Sequence, residues 1–285
     1  MKQLLMRSVG MIFGVVFILA LPLMLFADGK ETSAAASDIV ASDFAKMQEY
    51  AQTQYEHLLT KVEVASALSE EHKKLVATAL SKNLEGLPIC TFNQEIVYAE
   101  ESERSETRLV TVHDNGVLTD DTGRERLFSE WKYSPFTAPS AAGMDFASAT
   151  IIDETGTDIT FQFRFDKKAK SSSENITELL RDLRRVAKNL RYQLVVDINT
   201  GAPKSLVLEL IKPTRVFVIA RVKKIRYESV YKFDESLQRF IIPEQSVEYT
   251  ASAPVRGTES EKIDVIHSNF ECSTPIRYVW RASLD

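Results

Sequence analysis

The sequence has little of what most chemistry requires. It holds only two cysteines, Cys90 and Cys272, and four histidines, His57, His72, His113 and His267, which are scattered through the 285 residues. Zinc sites need close ligand spacing, so this distribution implies no metal. There is no Gly-x-Ser-x-Gly elbow, no His-Glu-x-x-His pair, no glycine-rich phosphate loop and no dinucleotide fingerprint. The serine hydrolase, metalloprotease and nucleotide-dependent classes therefore lack their machinery, and no cofactor is implied. Charge of one sign is also missing. The net charge is −5 with both signs interspersed, so no long basic face suggests nucleic acid.

What is present starts at the N-terminus. Lys2 and Arg7 precede an almost unbroken apolar run from Val9 to Ala27, the charged and apolar regions of a secretory signal. At about 18 residues the run is also just long enough to span a bilayer. Pro22, the small residue Ala27 and the Ala34-Ala35-Ala36 site favour cleavage, so residues 1–27 are expected to be a signal peptide. The alternative is an uncleaved anchor holding the chain on the periplasmic side of an inner membrane, the one way this chain would touch a membrane. No cysteine follows the run, which excludes bacterial lipoprotein processing. The expectation is an exported, periplasmic, soluble mature protein whose oligomeric state is open. An even cysteine count in an exported chain predicts a Cys90–Cys272 disulfide; two buried free thiols are the alternative.

Three zones follow. Residues 28–90 read as a helical N-terminal region. Ile39, Val40, Phe44, Met47, Ala51, Tyr55, Leu58, Leu59 and Val62 recur at three- and four-residue steps. A second helix is capped by Ser69, carries Glu70 and Glu71 in its first turn and Lys82 in its last, and ends at Gly86 and Pro88. Residues 91–285 read as an antiparallel β-rich domain with a helix inserted at 174–190. In it Ile159, Phe161, Phe163 and Phe165 alternate with polar residues, the pattern of a half-buried strand. Ala147–Ile152 reads as its hairpin partner. Leu118–Gly143 is turn-rich, and its Trp131, Tyr133 and Phe136 serve either as a flap over an apolar cavity or as anchors into the core.

The inserted segment Glu174–Leu190 places Ile176, Leu179, Leu183, Val186 and Leu190 on one face and arginines off it, an amphipathic helix. Beyond it come strands at Tyr192–Ile198, Ser205–Ile211, Val216–Lys232, Ile241–Ala251 and Lys262–Phe270, with turns at Asn199-Thr200-Gly201 and Phe233-Asp234-Glu235-Ser236. Arg221, Lys223, Lys224 and Arg226 interrupt the alternation and suggest a bulge or an exposed rim, basic enough to meet lipid headgroups or simply protecting a strand edge. His113-Asp114-Asn115-Gly116 with Asp120 and Asp121 is the best polar cluster. It does not have the spacing of a calcium loop, and Asp-Asn-Gly reads as a hairpin turn.

The passage Tyr192-Gln193-Leu194-Val195-Val196-Asp197-Ile198-Asn199-Thr200-Gly201-Ala202-Pro203, with its return strand Leu206–Leu210, resembles the strand, Asp, Thr-Gly turn and return strand of LolA-like periplasmic proteins. That superfamily includes lipoprotein carriers and the sensor domain of RseB-type regulators. Tyr227–Tyr249, ending around Phe240-Ile241-Ile242-Pro243, is similar to exported relatives of that group. The resemblance covers the C-terminal strands; the long helical N-terminus and the Glu174 helix depart from the compact carrier. It implies an α+β fold in which a curved antiparallel sheet of half-barrel type wraps on helices, with an apolar concavity for acyl chains.

On that expectation Phe161, Phe163, Phe165, Phe217, Ile219 and Tyr227 line the groove. The expected function is non-enzymatic binding of a lipid, a lipidated protein or another amphiphile in the envelope. Phenylalanines at alternate positions equally suit a filled core, which leaves a protein-interaction, structural or sensor module as the second reading and a hydrolase of unrecognised type as the third.

Overall fold

The computed structural model describes residues 39–82, 86–99, 104–127, 133–136, 141, 143–168, 185–216, 220–254 and 257–280. The expected signal segment, Trp131, Phe217, Ile219 and most of the 174–190 helix lie outside them.

Helix α1 (Ala41–Val62) buries Met47, Leu58 and Val62 on one face, as the apolar spacing requires. No side chain caps it. Its first turn is held instead by the C-terminal end of the chain: Val40 N–H donates to Ile276 O at 3.0 Å, and the buried Asp43 carboxylate accepts from Tyr278 N–H at 3.0 Å and from Trp280 Nε1 at 3.1 Å. Helix α2 (Glu70–Leu80) starts as expected, with Ser69 Oγ accepting from His72 N–H and two glutamates in the positive first turn. It stops earlier than the sequence suggested. Ser81 is its C-cap and donates its hydroxyl to Thr78 O, so Lys82 stands beyond the last turn. No described helix is long and apolar enough to cross a membrane.

Two short strands, β1 (Leu87–Pro88) and β14 (Tyr278–Val279), pair separately. All other described strands join one antiparallel sheet. The N-terminal strands are β2 (Cys90–Tyr98), β3 (Arg104–Val112), β4 (Val117–Asp120) and β5 (Glu125–Leu127). The central hairpins are β6 (Met144–Glu154) with β7 (Asp158–Phe165) and β8 (Leu190–Asp197) with β9 (Pro203–Leu210). After the two-residue β10 (Thr214–Arg215) come the long strands β11 (Arg221–Asp234), β12 (Arg239–Ala253) and β13 (Gly257–Cys272). Their order is β5-β4-β3-β2-β13-β12-β11-β9-β8-β7-β6, an open path of half-barrel type with β10 on β11. Register shifts at Val222/Lys224, Val230/Lys232 and Ser268/Glu271 mark bulges, which sharpen twist and bend a sheet.

The junction that unites the first and last strands is β2 on β13, where Cys90 and Cys272 stand in direct register, Cα atoms 4.0 Å apart, joined by the expected disulfide. The helices and sheet share one core: Leu58, Val62, Val76 and Leu80 pack with Phe161, Phe163, Leu190 and Leu194. Gly201 fixes part of this contact. Its φ is +66°, and a Cβ built on it would stand 2.7 Å from Thr78 Cγ2 of α2, so the Thr-Gly turn presses directly on the helix. The turn itself is organised by Asp197 Oδ1, which accepts from Asn199 N–H, Thr200 N–H and the Thr200 hydroxyl.

Several sequence expectations need correction in their limits. The strand expected from Val216 begins at Arg221, because the separate short strand β10 pairs with its start and Val216 N–H donates to Ala220 O. Leu190 opens β8 rather than closing a helix. The basic run is bulged as anticipated, and Arg221, Lys223 and Lys224 are exposed, but the strand that carries them is not an edge strand. β11 is interior to the sheet, with Arg226 paired to Glu209 and Glu228 and Lys224 to Glu248. On the outer face Arg191, Glu209, Arg226, Glu248 and Lys262 follow one another across five strands. Alternating charges across strands give that uncovered face modest cross-strand support.

Candidate functional site

The inner face of the sheet differs at its two ends along a single cross-strand row. From β3 to β7 that row is Glu106, Ile96, Val265, Gln245, Ser229, Leu206, Leu194 and Phe161. The adjacent row runs from Arg104 through Tyr98, Ile263, Val247, Tyr227, Leu208 and Tyr192 to Phe163. Each row starts at a charged residue of β3 and ends at a phenylalanine of β7, with aliphatic side chains, tyrosines and, in the first row, the Gln245 amide and Ser229 hydroxyl interspersed between them; the strand period of two keeps these residues on one face.

The phenylalanine end is packed. Phe161 and Phe163 have no exposed surface and Phe165 only 4%. Phe161 meets the edge of His72 from α2 at 6.1 Å, Phe163 meets Phe146 at 5.8 Å and Phe165 stacks on Tyr192 at 6.2 Å. These three groove candidates therefore form the floor beneath the helices. Tyr227 is different: its ring is half-buried at the border of two apolar clusters, touching both. Beside it the smaller cluster contains Tyr133, Ile96, Val247, Ile263 and Val265, with Tyr98 on its margin. The structure brings together Phe161, Phe163 and Phe165 on one floor and sets Tyr227 on the same face nearer the polar side; Phe217 and Ile219 are outside the described residues.

A buried polar seam crosses β2, β13, β12 and β11 at this border. Gln94 Nε2 donates to Tyr133 O at 2.7 Å, and His267 lies with Nδ1 2.8 Å from Ile242 O and Nε2 3.0 Å from Tyr133 O. Burial lowers the His267 pKa to about 4, against the raising influence of those two carbonyls, so the imidazole is neutral at neutral pH. Further along, Gln245 Nε2 is hydrogen-bonded to the Tyr227 hydroxyl and donates to Ser229 Oγ at 3.2 Å. Burial raises the Tyr227, Tyr231 and Tyr133 pKa values, which keeps these phenols protonated. Gln245 Oε1 is buried and has no donor.

Tyr133 and Phe136 resolve the flap-or-anchor alternative for residues 133–136 in favour of anchoring. Both are buried, Phe136 meets Phe92 at 5.5 Å, and the Tyr133 carbonyl holds the Gln94–His267 pair. Arg239, also buried, donates to the carbonyls of Gly86 and Phe136. The polar cluster at His113 is a hairpin turn between β3 and β4, closed by Gly116 N–H to His113 O with Gly116 at φ +78°. Asp120 organises the next turn by accepting from Thr122 and Arg124. Among the described residues no group of three or more His, Cys, Asp or Glu converges as a metal site.

Sequence reasoning missed Gln94, Ser229, Gln245 and His267. The signal was there: Gln245 shares the inward phase of Val247, Tyr249 and Ala251, and a polar residue on an apolar phase is informative.

No protein-family model matches this chain, and no curated protein matches it. Among solved structures it is similar to a LolA superfamily protein from Nitrosomonas europaea, with 8% identity, 77% of this chain and 94% of that chain covered, and a TM-score of 0.32.

Proposed function

We propose that this is an exported, non-enzymatic protein that binds a lipid, a lipidated protein or another amphiphile on the inner face of its open sheet. The observation that carries the reading is the inner face, charged at one end and phenylalanine-lined at the other. Charged Arg104, Glu106 and Arg108 lie at the β3 side, tyrosines and amides stand among isoleucines and valines at the centre, and close-packed phenylalanines form the far end. An amphiphile has the same order of groups, and each methylene it buries contributes about 0.8 kcal/mol. Tyr98, Tyr133 and Tyr227 mark the entry side, since Tyr98 and Tyr227 are only part-buried. Phe161, Phe163 and Phe165 are the deeper floor, and Phe217 and Ile219 precede β11 in the sequence. Export is supported by the N-terminal basic and apolar segment together with the Cys90–Cys272 bridge.

A second reading, a filled interaction or sensor module, is favoured by the complete burial of Phe161 and Phe163 under α2. Mass spectrometry of small molecules extracted from protein purified from its own envelope separates the two. An acyl-containing species in stoichiometric amount supports binding. Ligand-free protein that also fails to take up an apolar fluorescent probe leaves the filled module. N-terminal sequencing of the mature chain then divides a free carrier from a tethered domain.

A further inference from the structure

Gln245 places a buried polar atom on the inner face with no hydrogen-bond partner among the described residues. The side chain is 4% exposed, its Nε2 is engaged by Tyr227 and Ser229, and its Oε1 has no donor. A buried acceptor left unpaired costs about 1–3 kcal/mol, and native structures keep few such groups. Turning the amide over does not remove the deficit. Oε1 would then accept from the two hydroxyls, and the NH2 end would stand without an acceptor. In either orientation one end of the amide is open.

The groups around it restrict what can fill that opening. On the same row the neighbours are Val265 and Ser229, and His267, two residues along β13 from Val265, is neutral because its pKa is held at about 4. The phenols Tyr227, Tyr231 and Tyr133 are kept protonated by burial. The inward-facing cations of β3, Arg104 and Arg108, are both engaged by Glu106, and Glu261 lies close enough to raise the Tyr133 and Tyr98 pKa values. An anionic headgroup would meet no free cation among the described residues here and would lose its hydration. A group that is uncharged and both donates and accepts satisfies the amide in either orientation.

We propose that Gln245, set by Tyr227 and Ser229, is a binding residue for an uncharged hydroxyl group of the bound amphiphile. This rests on the amphiphile-binding reading and adds the chemistry of the polar end. The site selects a hydroxylated neutral head over a carboxylate or phosphate and over a plain ester.

The test is displacement of 1-N-phenylnaphthylamine from the full folded protein by three ligands of equal chain length: a C14 monoacylglycerol, the C14 carboxylate and the C14 methyl ester. The monoacylglycerol should displace the probe at about tenfold lower concentration than the other two, the value of one well-placed hydrogen bond. In Gln245→Met, whose volume is close to that of Gln, the three ligands should fall within about twofold of one another, while circular dichroism and the melting temperature report that the fold is kept. Gln245→Asn, which retains the amide on a shorter stem, should restore part of the preference. Equal displacement by all three in the wild type, or a monoacylglycerol preference that survives in Gln245→Met, overturns the assignment and leaves amphiphile binding intact. Absence of probe binding and of displacement by any ligand would instead defeat the parent reading. Should Gln245→Met fail to fold, Ser229→Ala, which removes one of the two groups positioning the amide, supplies the same comparison; an undiminished preference there also overturns the assignment.

Discussion

Removal of the Cys90–Cys272 bridge tests how the two ends of the sheet are held together. The cysteines are 182 residues apart in sequence yet face one another in the β2–β13 ladder. In the chain-entropy description, releasing a loop of that length costs about 5 kcal/mol at 25 °C. Domain stabilities are of order 5–15 kcal/mol, so the bridge accounts for a third or more of the total. The ladder on either side of it, including Ile96 opposite Val265 and Gln94 opposite His267, remains available without the bond, so the folded state itself should persist. Urea unfolding of a Cys90→Ala/Cys272→Ala double variant, followed by far-ultraviolet circular dichroism, is the direct measurement. With an m value of about 3 kcal/mol/M the midpoint should fall by about 1.5–2 M, and m should rise because the released chain exposes more surface. Thiol labelling of the denatured, unreduced wild type must show no free cysteine. A stability change below about 1 kcal/mol in the presence of a demonstrated bond would refute the loop-entropy reasoning, and two labelled thiols would remove the bond itself.

Other perturbations probe the rest of the framework. Gly201→Ala forces a side chain into a positive-φ position against Thr78 and should cost about 1–3 kcal/mol; repeating it in a Thr78→Ser background, which removes Cγ2, should cost less, and an equal loss in both backgrounds would show that the helix contact is irrelevant. For His267, burial holds the folded pKa at about 4, below the ordinary 6.5. The unfolded chain therefore binds the extra proton first, so stability is full above about pH 6.5 and falls by up to about 3 kcal/mol as pH drops toward 4. His267→Gln should flatten that stretch of the pH–stability curve, and an unchanged slope would mean that other groups set it. Asp43→Ala removes the acceptor for Tyr278 N–H and Trp280 Nε1; a loss of about 1.5–3 kcal/mol, with earlier hydrogen exchange at the start of α1, is expected, and unaltered exchange there would place the restraint elsewhere.

The sequence was most informative where one local rule decided the outcome. Period-two alternation at Ile159–Phe165 placed four side chains inward, and every one is buried. Ser69 capped α2 because a hydroxyl at that position satisfies a free N–H of the first turn. Less was legible where partners are distant in sequence. Nothing near Asp43 announces that its carboxylate meets Tyr278 and Trp280, and nothing local ends the strand reading at Val216 before Arg221. The polar seam was missed for a related reason. Gln94, Gln245 and His267 each look like isolated polar residues in a strand, and only the register that brings β2, β13, β12 and β11 side by side makes them neighbours.

Under the proposed binding, that register favours one side for entry. The α1–α2 pair is held over the phenylalanine floor at three separate places: Asp43 at the C-terminal strand, Thr78 against Gly201, and His72 against Phe161. A guest arriving from the helix side would have to break all three together. The opposite approach, past Tyr98 and Tyr227, meets part-exposed aromatic rings backed by an anchored segment at Tyr133–Phe136. Aromatic rings offer apolar surface at little cost in side-chain entropy. Under the proposed binding, entry from the tyrosine side lets the chain of the guest lead past Gln245 toward Phe163, which leaves the polar end at Gln245 once the chain is buried.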